Sequence, residues 1–152
     1  CENLVSVAAI PKGVTNMGRC FENCTSLKQA PVIPEGVTNM RNCFVGCENL
    51  VSVAAIPKGV TNMESCFNGC KSLEKAPTIP NSVTDMKFCF SDCKKISSVT
   101  LKCKYVANKF DFAFTGCTKL TQNSITVPQD QLQTYKDNAR DMGAQADWFI
   151  GE

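Results

Sequence analysis

Four pairs of cysteines, each with three residues between its members, are the feature of this sequence that most suggests chemistry. The pairs lie at positions 20/24, 43/47, 66/70 and 89/93, and the chain has eleven cysteines in all. Thiolates at this spacing could bind zinc or an iron–sulfur cluster. One pair supplies only two ligands, however, and each pair adjoins phenylalanine and leucine positions where desolvation disfavours the thiolate. We therefore expect no metal and no other cofactor, and a cysteine-based metal or redox array stays open as an alternative function.

Disulfides and simple packing are the other two interpretations of the cysteines. Disulfides are common in secreted proteins, and they could link equivalent cysteines of stacked units. Within a pair, helical residues i and i+4 hold their Cβ atoms about 5–6 Å apart, farther than the roughly 3.5–4.5 Å of a disulfide. An odd count also leaves at least one thiol unpaired. We favour cysteine as a small apolar core residue, because this explains the regular spacing and the replacement of one cysteine by Ala113.

Other catalytic constellations are missing from the sequence. Histidine is absent, which excludes Ser-His-Asp and Cys-His catalysis, HExxH zinc sites and a histidine pH switch. The carboxylates are scattered, and there is no glycine-rich phosphate loop. A net charge of +2 creates no strong field for nucleic acid, and no apolar run reaches the roughly 18 residues of a membrane span. We predict a protein that is not an enzyme, binds no nucleic acid and does not insert into a membrane.

An internal repeat supplies the elements that position the cysteines. The cysteines at 1, 24, 47, 70 and 93 follow one another at 23 residues, and Cys117 follows at 24. The first four units share Cys-x-x-Leu, Ile-Pro, Val-Thr-x-Met and Cys-Phe. Residues 1–17 recur unchanged at 47–63, so a 46-residue pair of units has been duplicated. Units of this size cannot bury an apolar face alone, and we expect them to stack into a solenoid with a shared core.

Each unit is predicted to form a short strand, a bend and a short helix. In the second unit the apolar stretch from Leu27 to Ile33 is closed by Pro34, as in a strand that ends in a turn. Thr38 is suited to be the N-cap of the following helix. The next apolar residues lie at i, i+3, i+4 and i+7, on one face of about two helical turns: Met40, Cys43, Phe44 and Cys47.

The repeats and a terminal segment divide the chain into two parts. We predict that residues 1–117 form five units, with the bounds 1–23, 24–46, 47–69, 70–92 and 93–116. Residues 118–152 are predicted to be a strand-plus-helix cap. In this cap, Gln122 to Val127 supplies the strand, Gln129 to Met142 supplies the helix, and Trp148-Phe149-Ile150 folds back on the helix. The first residue already lies inside a unit, so we expect a fragment of a longer array.

The repeat pattern resembles the BspA-like leucine-rich-repeat surface proteins. Units of that family run as Cys-x-x-Leu, a short strand ending in Ile-Pro, Val-Thr, then Ala-Phe-x-x-Cys, and the match covers about residues 1–117. Here cysteine stands where the family usually has alanine before phenylalanine. The resemblance implies an α/β fold: a leucine-rich-repeat-like right-handed solenoid, with one short strand and one short helical turn per 23-residue coil and a helical C-terminal cap. It also implies an extracellular or cell-surface protein used in adhesion or binding.

Two surfaces are candidates for binding a partner. Alternation along the predicted strands places a row of exposed side chains on a shallow, nearly neutral face: Ser6, Gln29, Ser52, Lys75 and Ser98, with Ala8, Pro31, Ala54, Pro77 and Thr100 beside them. Such a face suits a protein or glycan better than a small molecule. The fifth unit carries a possible basic patch for an anionic ligand, although lysine runs are usually only solvated: Lys94, Lys95, Lys102, Lys104 and Lys109.

Together these features favour a non-enzymatic binding or adhesion module that recognises a protein or glycan on its strand-lined face. A structural spacer that displays another domain is the first alternative. It predicts that no face is enriched in exposed aromatic or charged anchors. The ligand and the oligomeric state stay open.

Overall fold

The computed structural model describes residues 1–152 as a stack of coils joined by parallel backbone pairing. Most coils are linked by single parallel bridges rather than by continuous strands. Five of the six bridges form two columns in which each residue pairs with its counterpart 23 positions on: Asn16–Asn39–Asn62–Asp85 and Gln29–Ser52–Lys75. The predicted solenoid is therefore the fold that the chain adopts.

A parallel sheet of three continuous strands closes the C-terminal end of the stack. Its strands are β1 (Val99–Thr100), β2 (Ile125–Val127) and β3 (Phe149–Gly151), paired in that order. In register, Val99 lies beside Ile125, which lies beside Phe149. The predicted last strand is thus present but shorter, and the tail adds a strand that the sequence did not indicate.

The cap contains one α-helix, α1 (Leu132–Asp137), between two single turns of 3-10 helix at Gln129–Gln131 and Ala146–Trp148. The helix is shorter than the predicted Gln129-to-Met142 helix. Its continuation is used by the last coil, because the carbonyls of Asp141 and Met142 accept the backbone N–H groups of Phe112 and Phe114 at 2.8 and 2.9 Å.

The segment predicted to be a short helix in each unit is a pair of consecutive turns. In the second coil the N–H of Cys43 donates to Met40 O within the turn (3.1 Å), but the N–H of Phe44 donates to Cys66 O of the next coil (2.9 Å). Asn42 between them has φ 55°, in the left-handed region. Because alternate N–H groups donate to the neighbouring coil, the i to i−4 ladder of an α-helix cannot form.

An asparagine, and not the predicted threonine, caps the start of these turns. Asn39 Oδ1 accepts a hydrogen bond from the N–H of Arg41 at 2.9 Å. The Oδ1 atoms of Asn16 and Asn62 likewise accept from the N–H of the residue two positions later. Thr38 Oγ1 instead donates to Thr15 O of the preceding coil at 3.4 Å. The asparagine amide oxygen is therefore the local turn signal in this repeat.

A file of stacked phenylalanine rings runs through the core from coil to coil. Centroids of neighbouring rings are 5.3 to 6.0 Å apart, in the order Phe21, Phe44, Phe67, Phe90 and Phe114. Phe149 of β3 meets Phe114 edge-on at 6.5 Å and stacks on Tyr135 of α1 at 5.6 Å. The tail therefore does fold back on the helix, as predicted, and it ends the aromatic file.

Candidate functional site

The row predicted to be a binding face lies along the strand side of the solenoid. Gln29, Ser52 and Lys75 form one of the two bridge columns, with Gln29 and Lys75 exposed and Ser52 half-buried. Thr100 is half-buried in β1, and the two remaining members of the row are exposed: Ser6 and Ser98. The repeat register thus brings the three central residues into one file.

The neighbouring row is not exposed throughout. Ala8 and Ala54 face solvent, but Pro31 and Pro77 are buried. Strict strand alternation fails here because only one residue of the second coil on this side, Gln29, is bridged to the next coil. Without a continuous strand, the chain bends inward after that residue and buries consecutive side chains.

The five lysines of the predicted basic patch do not form one patch. Three of them face a carboxylate: Lys95 lies 3.7 Å from Glu74, Lys109 lies 3.0 Å from Asp85, and Lys102 pairs with Glu152. The hydrogen bond that Lys109 donates to Asp85 also raises the pKa of Lys109. Only two of the five line the same groove, Lys102 and Lys104, and Asp130 lines it too. The local positive charge is therefore divided and partly neutralised.

The cysteines form a ladder of buried thiols that act as hydrogen-bond donors. All eleven are free thiols, and only Cys1 and Cys20 are exposed. In three of the four pairs the second cysteine donates to the carbonyl of the phenylalanine that follows the first cysteine of the preceding pair; Cys70 Sγ, for example, donates to Phe44 O at 3.2 Å. The same bond recurs at 3.0 to 3.1 Å from Cys47, Cys93 and Cys117. Such a bond needs the protonated thiol, which neither a thiolate ligand nor a disulfide provides.

Burial explains why these thiols keep their protons. It raises the pKa of Cys66 well above the ordinary value of 9.0 and raises the pKa of Cys47 to about 11. Thiolate is the reactive and metal-binding form of cysteine. No three Cys, Asp or Glu side chains are grouped so that they could hold a metal ion. The ladder is therefore arranged for packing and hydrogen bonding.

A thiol titration is expected to show two reactive cysteines in the native protein and eleven after unfolding. Cys1 and Cys20 are exposed, whereas the other nine lie in the core. The measurement is a thiol count with and without guanidinium, beside elemental analysis for zinc and iron. Fewer than eleven thiols after unfolding would show disulfides, and stoichiometric metal would show that the pairs are ligands.

A stacked aromatic pair on the turn side, one ring of it exposed, was not indicated by the repeat pattern. The rings of Phe88 and Phe112 stack at 5.0 Å, and Phe112 is 46% exposed. Both residues have positive φ, 56° and 58°, at the turn position that Asn42 occupies in the second coil. The signal available in the sequence was the change of residue type at that position, from polar to phenylalanine.

A family model described as the BspA type leucine-rich repeat region matches residues 1–87 and 41–140, in six copies. The chain belongs to this family. BspA-type leucine-rich repeat domains are typically found in surface or secreted bacterial proteins. Leucine-rich repeat proteins are commonly binding or adhesion modules, generally bind proteins and are generally non-enzymatic. None of the helices here has the length and apolar character needed to cross a bilayer.

Solved structures similar to this chain are also leucine-rich repeat proteins. The T. pallidum leucine-rich repeat protein is 20% identical with a TM-score of 0.52, over 95% of this chain and 84% of that one. A leucine-rich repeat protein from Bacteroides ovatus is 22% identical with a TM-score of 0.46, over 76% of this chain. The alignment spans 37% of the Bacteroides protein. No match was found among curated proteins.

Proposed function

We propose that this chain is a non-enzymatic binding or adhesion module of a secreted or cell-surface protein, and that it recognises a protein or glycan on its strand-side face. The observation that carries the proposal is the column Gln29–Ser52–Lys75, which sets the same unit position of successive coils side by side. At about 4.8 Å per coil, five such positions extend over about 19 Å. A regular surface of this length suits an extended macromolecular ligand.

The division of the chain follows from the same proposal. We assign residues 1–117 to the five units that build the face, and residues 118–152 to the cap that ends the core. The cap covers the last coil with β2, α1 and β3, whose inward residues Val127, Tyr135 and Phe149 are buried. Loss of the cap would leave the apolar end of the stack exposed, which terminal units prevent in solenoids.

Cell adhesion tests this proposal directly. Beads coated with the chain are expected to adhere to cultured epithelial cells, and prior treatment of the cells with protease or with glycosidases separates a protein ligand from a glycan. Substituting Ser6, Ser52 and Ser98 by Glu places three carboxylates on the face. This triple variant is expected to reduce adhesion at least tenfold, because desolvating unpaired charges opposes docking.

A second exposed row gives a matched control for the added charge. Thr38, Thr61 and Thr84 are all exposed and recur at the same 23-residue spacing. Their substitution by Glu adds the same three charges, removes three long hydroxyl hydrogen bonds to the preceding coil (3.3 to 3.4 Å) and is expected to leave adhesion unchanged, with circular dichroism confirming that both variants are folded. Equal losses in the two triple variants would contradict the assigned face. Beads that adhere no better than beads coated with an unrelated protein would favour the spacer.

A further inference from the structure

Two grooves of the same design lie on the surface beside the strand-side face. The first groove has a volume of about 500 Å³ and the second about 940 Å³. Residues that line the first groove have counterparts 46 positions later that line the second groove, so the groove recurs after two coils. The shared lining pairs Ala9 with Ala55, Ile10 with Ile56, Lys12 with Lys58 and Pro34 with Pro80.

Three of the four shared pairs come from the part of the repeat that is duplicated without change, and only Pro34/Pro80 comes from the alternating units. Residues 1–17 and 47–63 are identical, whereas the alternating units 24–46 and 70–92 differ at 11 of 23 positions. The identity includes exposed positions such as Ala9 and Ala55, where packing makes no demand on the residue type. The duplication has therefore reproduced the exposed residues of this surface together with the core, so that the chain presents the same groove lining twice.

The lining that the two grooves share is apolar, with one lysine ammonium group in each. The first groove also contains Glu35 and the second also contains Lys102. Alanine, isoleucine and proline form the common walls, and the first groove adds Val32, whose side chain is 76% exposed. The only charge common to both grooves is the lysine, Lys12 or Lys58. A ligand for this lining needs an apolar group for each groove and a hydrogen-bond acceptor for each lysine.

The spacing of the grooves matches the repeat of a polyproline II helix. Two coils at about 4.8 Å each separate the grooves by about 9.6 Å along the solenoid. A polyproline II helix has three residues per turn at about 3.1 Å per residue, so residues i and i+3 face the same way about 9.3 Å apart. Its carbonyls make no internal hydrogen bonds, and they are therefore free to accept from the two lysines.

We propose that the two grooves together bind one proline-rich segment of a partner protein in the polyproline II conformation. The segment runs along the solenoid axis, places the leucine-sized aliphatic side chain of residue i in the first groove and that of residue i+3 in the second, and accepts hydrogen bonds from Lys12 and Lys58. This inference rests on the proposed binding function and names its ligand class. A sugar polymer fits less well, because the shared lining offers no aromatic ring and one polar group per groove.

Occupation of both grooves by one ligand makes the binding bivalent. Once one apolar side chain is seated, the second is held at high effective concentration beside the other groove. The polyproline II helix is already formed in the free segment, so little conformational entropy is lost. The affinity should therefore depend on the three-residue spacing of the apolar side chains and not only on their number.

Two isomeric peptides test this dependence on spacing. The in-register peptide is Leu-Pro-Pro repeated four times, and the out-of-register peptide is Leu-Leu-Pro-Pro-Pro-Pro repeated twice. Both contain four leucines and eight prolines, but only the first has leucines three residues apart. Fluorescence anisotropy with the whole chain is expected to show at least tenfold tighter binding of the in-register peptide. Equal affinities, or no binding of either peptide, would overturn the proposal.

Groove-filling variants test the location. Ala9→Gln and Ala55→Gln each fill one groove, and each is expected to lower the affinity for the in-register peptide about tenfold, to that of the out-of-register peptide. Ala107→Gln is the matched control, because Ala107 is exposed in the fifth unit away from both grooves, and it should bind as the unaltered chain does. A loss in the control equal to that in the groove variants would contradict the assignment.

Other occupants of the grooves have their own signatures. Concentration-dependent dimerisation in sedimentation, abolished by Ala9→Gln, would identify a second copy of this chain and overturn the proposal. Binding of an oligosaccharide that Ala55→Gln abolishes would overturn it as well. Cell adhesion that is lost in the Ser6, Ser52 and Ser98 triple variant but accompanied by no binding of the in-register peptide would leave the proposed function standing and remove this ligand class.

Discussion

Raising the pH above about 9 is expected to unfold the protein cooperatively, because its buried thiols can ionise only in the unfolded chain. Burial raises the pKa of eight core cysteines above the ordinary value of 9.0: Cys43, Cys47, Cys66, Cys70, Cys89, Cys93, Cys103 and Cys117. Above pH 9 the unfolded chain therefore binds fewer protons than the folded chain. The free energy of unfolding must then fall as the pH rises.

The expected size of this effect is comparable with the whole stability of a domain. One pH unit above an unfolded-state pKa of about 9, each thiol that stays protonated in the fold destabilises the fold by about 1.4 kcal/mol. Eight such thiols together reach up to about 11 kcal/mol at pH 10, against a typical total of about 5–15 kcal/mol. The stability that the neutral thiols contribute is complete below pH 9. It is lost as the pH rises toward the pKa values of the thiols in the folded protein, which for Cys47 is about 11.

Circular dichroism and thiolate absorbance, followed together from pH 7 to 11 under reducing conditions, measure this transition. Both signals should change in one step with a midpoint near pH 10. Cys1→Ser removes an exposed thiol and is expected to leave the midpoint unchanged. Added salt, which screens repulsion between surface charges, should also leave it in place. A gradual rise of thiolate absorbance without loss of structure would show that the cysteines are accessible in the fold.

The buried positions of the turns were predicted correctly from the sequence, but the backbone conformation that buries them was not. Met40, Cys43, Phe44 and Cys47 were placed on the inner face of a helix, and all four are buried. Consecutive turns bring the same positions inward as a helix does, so the periodicity of apolar residues cannot distinguish the two. The deciding interaction is the hydrogen bond from Phe44 N–H to the next coil, which no single unit contains.

The charged surface was less predictable than the core, because its partners are remote in the sequence. Lys109 stands among lysines in the chain, yet its neighbour in space is Asp85 at 3.0 Å. Lys102 similarly pairs with Glu152, the last residue of the cap. Net charge within a segment therefore overstated the local field, since stacking sets each lysine beside the residues of another coil.

The grooves could not be anticipated from strand alternation alone. The duplication of residues 1–17 at 47–63 was visible, but the depth of the surface depends on which side chains turn inward. Pro31 and Pro77 were expected beside the exposed row and are buried. One of them, Pro77, lines the second of the two grooves in which the proposed ligand would lie.

Truncating a single ring in the middle of the phenylalanine file is expected to cost much of the stability of the protein. Phe67 is completely buried, and its ring lies 5.7 Å from that of Phe44 and 5.5 Å from that of Phe90. Phe67→Ala removes the ring on which Phe44 and Phe90 both stack, and it leaves a cavity. We expect this substitution to lower the free energy of unfolding by about 3–5 kcal/mol. Since each coil of a solenoid contacts only its neighbours, this loss also uncouples the coils on either side.

Urea denaturation followed by circular dichroism measures the loss, and Phe112→Ala is its matched control. Phe112 also stacks on another ring, at 5.0 Å from Phe88, but it is 46% exposed, so removing it should change the free energy of unfolding by less than about 1 kcal/mol. Phe67→Leu, which keeps most of the volume, should fall between the two and covers the case in which Phe67→Ala does not fold. The idea that the ring file holds the coils together would be wrong if Phe67→Leu and Phe112→Ala unfolded at the same urea concentration and Phe67→Ala folded and was no less stable than either.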